Sequence, residues 1–189
     1  FFGAQSPATC LCPDLRHGAD PDDYFSRVPY EKGHTLLFYL EGLLGGPAIF
    51  ERYLRAHLDH FAGQSIDTAQ WLEYLTAWYQ KQHPEYVKVL QGVDWQAWLK
   101  GPGMPPCTPT FDQTLMEPCR QLAKAWHNQD YTAIDKYFDF IPAQKCMFLD
   151  LLNNAAVDID RLAKEYQLQT ETNVEICLFW YTLALKAKY

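Results

Sequence analysis

The chain has 189 residues, of which 48% are hydrophobic and 15% aromatic. This length and apolar content suffice to bury a core in one domain or two small ones, which argues against a disordered protein. A formal net charge of −7, without any cluster of lysine and arginine, argues against a nucleic-acid partner. No apolar run reaches the roughly 18 to 20 residues of a membrane span, so we predict none.

The two ends and the six cysteines indicate the setting of the protein. The sequence starts with Phe1 rather than methionine, carries no secretory signal, and stops within a helical pattern after Leu183. The close pair Cys10 and Cys12 has no second pair with which to form a zinc site. We therefore expect reduced thiols and an internal segment of a larger, mostly helical intracellular protein.

The first predicted element is a helix preceded by irregular chain. The first thirty residues are rich in proline and show little periodicity, which predicts a loop. After Gly33, leucines recur at helical spacing, and Phe38 and Tyr39 make most of the circumference apolar, so we expect a buried helix. Gly45 and Gly46 should end it.

Two further helices are predicted before residue 95. Pro47 suits the first turn of the second helix, which Gly63 should close. The third helix should begin with Asp67 or Thr68 as its N-cap.

A segment rich in proline and glycine marks the predicted domain boundary. A short element at 95–99 precedes residues 101–106, where fixed φ angles and missing amide donors disfavour both helix and central strand. We therefore predict a linker at 101–110 between a domain at 1–100 and another at 111–189.

Beyond the linker the periodicity is again helical. Apolar residues at 115–126 follow helical spacing, with Pro118 tolerable only in a first turn. Further helices are expected near residues 131–140, 142–154 and 158–166. The last helix should begin with a capping box of Thr172 and Glu175. Short antiparallel helices commonly stack as an α-solenoid, so the predicted fold class is all-α.

Two polar clusters offer weak evidence for a site. His57 and His60 lie three residues apart, but no acidic third ligand stands at a suitable spacing, so a solvated helix face is favoured. The carboxylates of Asp20, Asp22 and Asp23 suit a substrate amine or a cation, and turn formation is the favoured alternative.

Tyr30 is the more suggestive group. Pro29 restricts the backbone just before it, and the predicted buried helix follows. A phenol held in this way is a neutral hydrogen-bond donor that can stabilise an oxyanion. From the residues alone, a structural tyrosine at a helix boundary is the more common case.

Several motifs come in the order and spacing of one family. They are DPD at 20–22, VPYEKG at 28–33, LLFYLE at 36–41, LGGP at 44–47, VDW at 93–95 and PGMPP at 102–106. Together they resemble the zinc metallopeptidases of the leukotriene A4 hydrolase and aminopeptidase B group. The likeness is strong from Asp20 to about Pro109 and weaker beyond.

This resemblance implies both a fold and an activity. Residues 1–100 would be the late helical lobe of a thermolysin-like catalytic domain, and 111–189 the start of an α-solenoid of armadillo or HEAT type. The family's zinc ligands, H-E-x-x-H and a downstream glutamate, would lie before Phe1. The chain would be an inactive part of a cytoplasmic zinc aminopeptidase acting on peptides. A helical-repeat interaction module without catalysis is the alternative.

The resemblance also assigns site residues. Tyr30 falls on the tyrosine that hydrogen-bonds the substrate carbonyl oxygen as zinc-bound water attacks. Asp22 matches an acidic position that lines the substrate pocket and helps direct epoxide hydrolysis. Phe25 takes the place of a second active-site tyrosine, also on the substrate side, and cannot donate a hydrogen bond. Activity on a lipid epoxide is therefore left open, whereas peptides are the expected substrates.

Overall fold

The computed structural model describes residues 3–16, 18–153 and 157–189. Over these ranges the regular structure is helical and contains no strand, which confirms the all-α prediction. The chain divides into two compact units, Phe1–Thr110 and Phe111–Tyr189, called here the N-terminal and C-terminal units. In the same ranges no helix is both long and apolar enough to cross a membrane.

The N-terminal unit is built mainly from three long helices. Its α-helices are α1 (Val28–Leu43), α2 (Pro47–His60), α3 (Thr68–Gln82), α4 (Val87–Gln91) and α5 (Trp95–Lys100). Short 3-10 helices occur at Pro7–Thr9, Pro21–Tyr24 and Pro84–Tyr86. The irregular character predicted for the first residues therefore ends at Val28.

Helix α1 begins earlier than the sequence suggested. We expected it to follow Gly33, but it starts at Val28 and includes the VPYEKG motif. Pro29 is compatible with this start because its missing amide falls where a helix has no internal acceptor. Gly33 fits inside the helix, where a Cβ would meet only the Leu11 side chain, 3.9 Å away.

The turn between α1 and α2 confirms the predicted helix end. Gly45 and Gly46 have φ angles of 94° and 80°, which favour glycine. A Cβ at Gly45 would also lie 2.6 Å from Ile49 Cδ1 and 2.7 Å from Tyr86 Oη. Pro47 then occupies the first position of α2, as predicted.

Helix α3 starts with a complete capping box. The amide of Gln70 donates to Asp67 Oδ1 at 2.9 Å, and the Asp67 amide donates to Gln70 Oε1 at 2.9 Å. Asp67 rather than Thr68 is therefore the N-cap, and two amides without helical acceptors are satisfied.

The core of the N-terminal unit covers only one side of α1. Leu36 and Leu40 are buried there, whereas Leu37 and Phe38 stay partly exposed, so the expectation of an almost fully buried helix holds for one face. The other members of this core come from later helices and include Phe50, Tyr53, Leu75, Tyr79 and Trp98. One side of α1 is thereby packed, and the apolar groove described below lies at the edge of this side, where it is lined by both Leu36 and Leu37.

The C-terminal unit is a stack of shorter helices. They are α6 (Glu117–His127), α7 (Pro142–Leu151), α8 (Ile159–Glu165) and α9 (Val174–Ala187), with 3-10 helices at Ile134–Asp139 and Leu168–Thr170. Helix α7 packs against both α6 and α9. Pro118 lies in the first turn of α6, as predicted. The helix expected at 131–140 is instead a 3-10 helix, and Asn154, the expected end of α7, lies outside the described residues.

The capping box predicted at the start of α9 does not form, so this prediction was wrong. Asn173 is the N-cap, and its Oδ1 accepts hydrogen bonds from the amides of Glu175 and Ile176. Glu171 Oε1 accepts from the amides of Asn173 at 2.9 Å and Thr172 at 2.8 Å. The Thr172 amide, which Glu175 was expected to bind, is therefore already satisfied.

Two leucines of α1 that differ in burial allow a test of this packing. Leu40 is 0% exposed and Leu37 is 38% exposed. Leu40→Ala should lower the free energy of unfolding by about 2 to 5 kcal/mol because it leaves a cavity. Leu37→Ala should cost less than about 1 kcal/mol. Urea unfolding followed by circular dichroism would measure both, and equal costs would contradict the one-sided burial.

Candidate active site

Tyr30 lies in the first turn of α1. Its amide donates to the Arg27 carbonyl at 3.1 Å, and the Val28 amide donates to Ser26 Oγ at 3.2 Å. Its side chain is 66% exposed, and none of the hydrogen bonds among the described residues engages its phenol oxygen. The backbone of Tyr30 is therefore fixed in the helix, and its phenol hydroxyl is accessible to a ligand.

Tyr30 lines an apolar groove, called here the tyrosine groove, of about 460 Å³. Its walls come from Pro29, Leu36 and Leu37 of α1, from the loop around Leu11, and from residues of α3 and α5. Apolar walls lower the local dielectric constant, which strengthens a hydrogen bond from the phenol to a charged oxygen. The groove can thus hold an acceptor group of a substrate against Tyr30.

His34 lies one turn beyond Tyr30 and lines the same groove. Its ring stacks on Phe38 with 6.1 Å between centroids. This contact indicates a packing role for the His34 ring.

Asp22 and Phe25 belong to a separate turn before α1. The Asp22 amide donates to Asp20 Oδ1 at 3.0 Å, and the Phe25 amide donates to the Asp22 carbonyl at 3.2 Å. Asp20 therefore forms the turn that the sequence favoured. The Asp22 carboxylate is exposed and the Phe25 ring is 80% exposed, and neither residue lines the tyrosine groove. Their roles toward substrate stay predictions.

The histidine pair forms part of an aromatic cluster. His57 packs against Tyr53, Phe61 and Tyr74, and burial lowers the pKa of its imidazole. His60 is exposed and stacks on Tyr74 at 4.3 Å between ring centroids. The expected solvated face is observed for His60, whereas His57 is half-buried.

In the part of the chain that the structure describes, no group of three or more histidine, cysteine, aspartate or glutamate residues can hold a metal ion. These residues therefore do not fit a zinc site of their own.

Sequence reasoning missed Lys32, which is buried beneath the start of α1. The residue is only 3% exposed although lysine is normally a surface residue. One sequence signal points to it: Lys32, Leu36 and Leu40 are spaced by four and share one face of the helix. A lysine in line with core leucines indicates a buried charge with specific acceptors.

The exposure of Tyr30 can be tested by chemical modification. Tetranitromethane nitrates tyrosines through the phenolate, and burial raises the pKa of Tyr53 and Tyr79 above the ordinary value. Because the Tyr30 side chain is 66% exposed whereas Tyr53 and Tyr79 are 0% exposed, Tyr30 should be nitrated at least about tenfold faster than either. Peptide mass spectrometry at partial modification measures the rates. Equal rates would show that Tyr30 is not exposed.

Comparisons with known proteins agree with the motifs. Residues 5–98 match a family model described as the peptidase family M1 domain. The chain is 35% identical over 195 residues to a leukotriene A-4 hydrolase of Xenopus laevis, covering 98% of this chain and 31% of the relative. It is 34% identical over 199 residues to leucine aminopeptidase 2-2 of Scheffersomyces stipitis, covering 94% of this chain and 31% of the relative.

A solved structure extends this similarity to the fold. The structure of native yeast LTA4 hydrolase matches with a TM-score of 0.83 at 33% identity, covering 96% of this chain and 33% of that chain. This chain thus spans about a third of the length of the proteins it matches. The resemblance drawn from the motifs is confirmed.

Proposed function

This chain belongs to peptidase family M1, and we propose that the whole protein is a zinc-dependent aminopeptidase that releases N-terminal residues from peptides. The observation that carries the proposal is the exposed phenol of Tyr30, fixed in the first turn of α1 beside an apolar groove. Tyr30 lies within the matched residues 5–98. The two relatives described above are named as a hydrolase and an aminopeptidase.

The role of Tyr30 follows from the charge that develops during peptide hydrolysis. Attack on the scissile carbonyl moves negative charge onto its oxygen. A neutral phenol that is already oriented stabilises this charge without reorganisation, and an apolar surrounding increases the effect. The proposed contribution of this chain is therefore a hydrogen bond that strengthens in the transition state.

We assign the zinc to residues outside this chain, encoded before Phe1. The described residues offer no metal-binding group, whereas peptidases of this family generally depend on zinc. The chain would accordingly contribute part of the substrate site and would be inactive by itself.

Asp22 and Phe25 complete the proposed substrate side. The exposed Asp22 carboxylate can accept hydrogen bonds from a substrate amine, and the exposed Phe25 ring offers an apolar contact. The six free cysteines are consistent with the proposed cytoplasmic setting.

A second candidate function rests on the C-terminal unit. Helix α9 exposes four large residues at helical spacing, namely Val174, Leu178, Tyr181 and Leu185. Such a stripe is typical of a surface that binds another protein segment, as a helical-repeat interaction module would. The gene sequence before Phe1 distinguishes the two functions, because the enzyme requires an H-E-x-x-H motif and a downstream glutamate encoded there.

Substitution of Tyr30 tests the proposed function in the whole protein. Tyr30→Phe should lower kcat on an aminoacyl-naphthylamide by about 10²- to 10³-fold, because one oxyanion donor is lost. KM should change little, since the hydrogen bond acts mainly in the transition state. Tyr181→Phe, at an exposed phenol of the C-terminal unit, is the matched control. Unchanged kcat in a folded Tyr30→Phe protein would remove Tyr30 from the mechanism.

Phe25 determines our expectation for a lipid epoxide. With no donor at this position, the whole protein should form little dihydroxy acid from leukotriene A4 relative to its peptidase turnover. Phe25→Tyr should raise product formation about tenfold, the effect of one hydrogen bond worth about 1.4 kcal/mol. Product chromatography measures both proteins. Efficient formation by the unchanged protein would show that Phe25 does not limit the reaction.

A further inference from the structure

Lys32 makes three hydrogen bonds to backbone carbonyls from inside the N-terminal unit. Its Nζ donates to the carbonyl oxygens of Gly101 at 2.7 Å, Gly103 at 3.1 Å and Thr9 at 3.2 Å. Among the described residues it is the only charged one that is buried. An ammonium group has three N–H donors, so each of them has an acceptor.

The three carbonyl acceptors compensate the free-energy cost of burying the Lys32 ammonium group. Taking an ammonium out of water is unfavourable, and burial lowers the pKa of Lys32 accordingly. None of the salt bridges among the described residues involves Lys32. The hydrogen-bond partners of the charge are therefore backbone carbonyls, and these carbonyls must stay in place for the burial to be tolerated.

The three carbonyls come from two segments that are also bonded to each other. Thr9 Oγ1 accepts a hydrogen bond from the Gly103 amide at 2.6 Å, and the Cys12 amide donates to the Leu99 carbonyl at 2.9 Å. The segment before α1 and the segment after α5 thus form one assembly, called here the carbonyl cage. Lys32 connects α1 to this cage.

The geometry of α1 relates the cage to Tyr30. Residues two apart on a helix project to opposite sides, so the Lys32 side chain anchors the helix from behind the phenol. The N-cap residue Arg27 makes no side-chain capping bond, so the side-chain support at the start of α1 comes from Ser26 Oγ, which accepts from the Val28 amide, and from Lys32. The placement of the first turn therefore depends strongly on the lysine.

We propose that Lys32 is a positioning residue, whose bonds to the carbonyl cage hold the first turn of α1 so that the Tyr30 phenol meets the oxyanion. This inference rests on the proposed function of Tyr30. It adds a residue that never touches the substrate and acts through backbone carbonyls 23, 69 and 71 positions away in the sequence.

A double-mutant cycle in the whole protein separates positioning from simple stabilisation. Lys32→Met keeps the length of the side chain but removes its donors. It should lower kcat by about tenfold to a hundredfold with KM little changed, because a small displacement of the phenol weakens transition-state binding. In a Tyr30→Phe background, Lys32→Met should cause no further loss of kcat. A role independent of Tyr30 predicts the same loss in both backgrounds.

Lys88→Met is the matched control. Lys88 is an exposed lysine of α4 in the N-terminal unit, and it lies outside the two segments that form the carbonyl cage. Its kcat should stay within about twofold of the unchanged protein, the scatter expected for independent sites. A loss as large as that of Lys32→Met would overturn the specific role of Lys32.

Thr9→Val provides a second variant in case Lys32→Met does not fold. It leaves Lys32 intact and removes only the hydroxyl that accepts from Gly103, so the carbonyl cage is loosened. Its kcat should fall several-fold, which corresponds to the loss of about one hydrogen bond. As for Lys32→Met, this loss should occur only when Tyr30 is present. An unchanged kcat, or an equal loss in the Tyr30→Phe background, would overturn the inference.

The cycle also distinguishes this inference from the proposed function. Suppose that Tyr30→Phe lowers kcat and that Lys32→Met lowers kcat by the same factor in both backgrounds. Only the positioning role then fails. If Tyr30→Phe leaves kcat unchanged, the assignment of Tyr30 fails, and the positioning role fails with it.

Discussion

A buried positive charge must keep all of its donors bonded, and this requirement organises the N-terminal unit around Lys32. Its ammonium joins α1 to chain segments that lie before that helix and after α5. The leucines on the same face of α1 supply apolar burial, which has no preferred direction, whereas the hydrogen bonds define a register. Directional bonds at one end of a helix and apolar packing along it together determine where the first turn lies.

The two faces of α1 have different roles in the candidate site. The buried face carries Lys32, Leu36 and Leu40, and Tyr30 lies on the side opposite Lys32, at the tyrosine groove. A donor to an oxyanion is effective only if it is oriented before the reaction, so rigidity behind the phenol matters as much as exposure in front of it. Helix α1 combines both within residues 28–33.

Features set by neighbouring residues were predictable from the sequence, and features set by distant ones were not. The N-cap at Asp67 and the turn at Gly45 follow from local rules, and both were found. The start of α1 was misplaced because Pro29 and Gly33 disfavour helix in isolation, whereas the first turn and the tertiary contacts accept them. The capping box predicted for α9 does not form because Glu171 already accepts a hydrogen bond from the Thr172 amide. The acceptors of Lys32 lie up to 71 positions away, so periodicity indicated its burial but not its partners.

The bonds to Gly101 and Gly103 also bear on how this part of the chain can vary among relatives. Segments rich in proline and glycine usually tolerate insertions and deletions because little depends on their length. Here the first residues after α5 supply acceptors to a core ammonium, and a Cβ at Gly103 would lie 2.8 Å from the Ala4 carbonyl oxygen. Changes of length before Gly103 would draw an acceptor away from the charge. We therefore expect changes in the length of this connection to be tolerated only in the residues that follow Gly103.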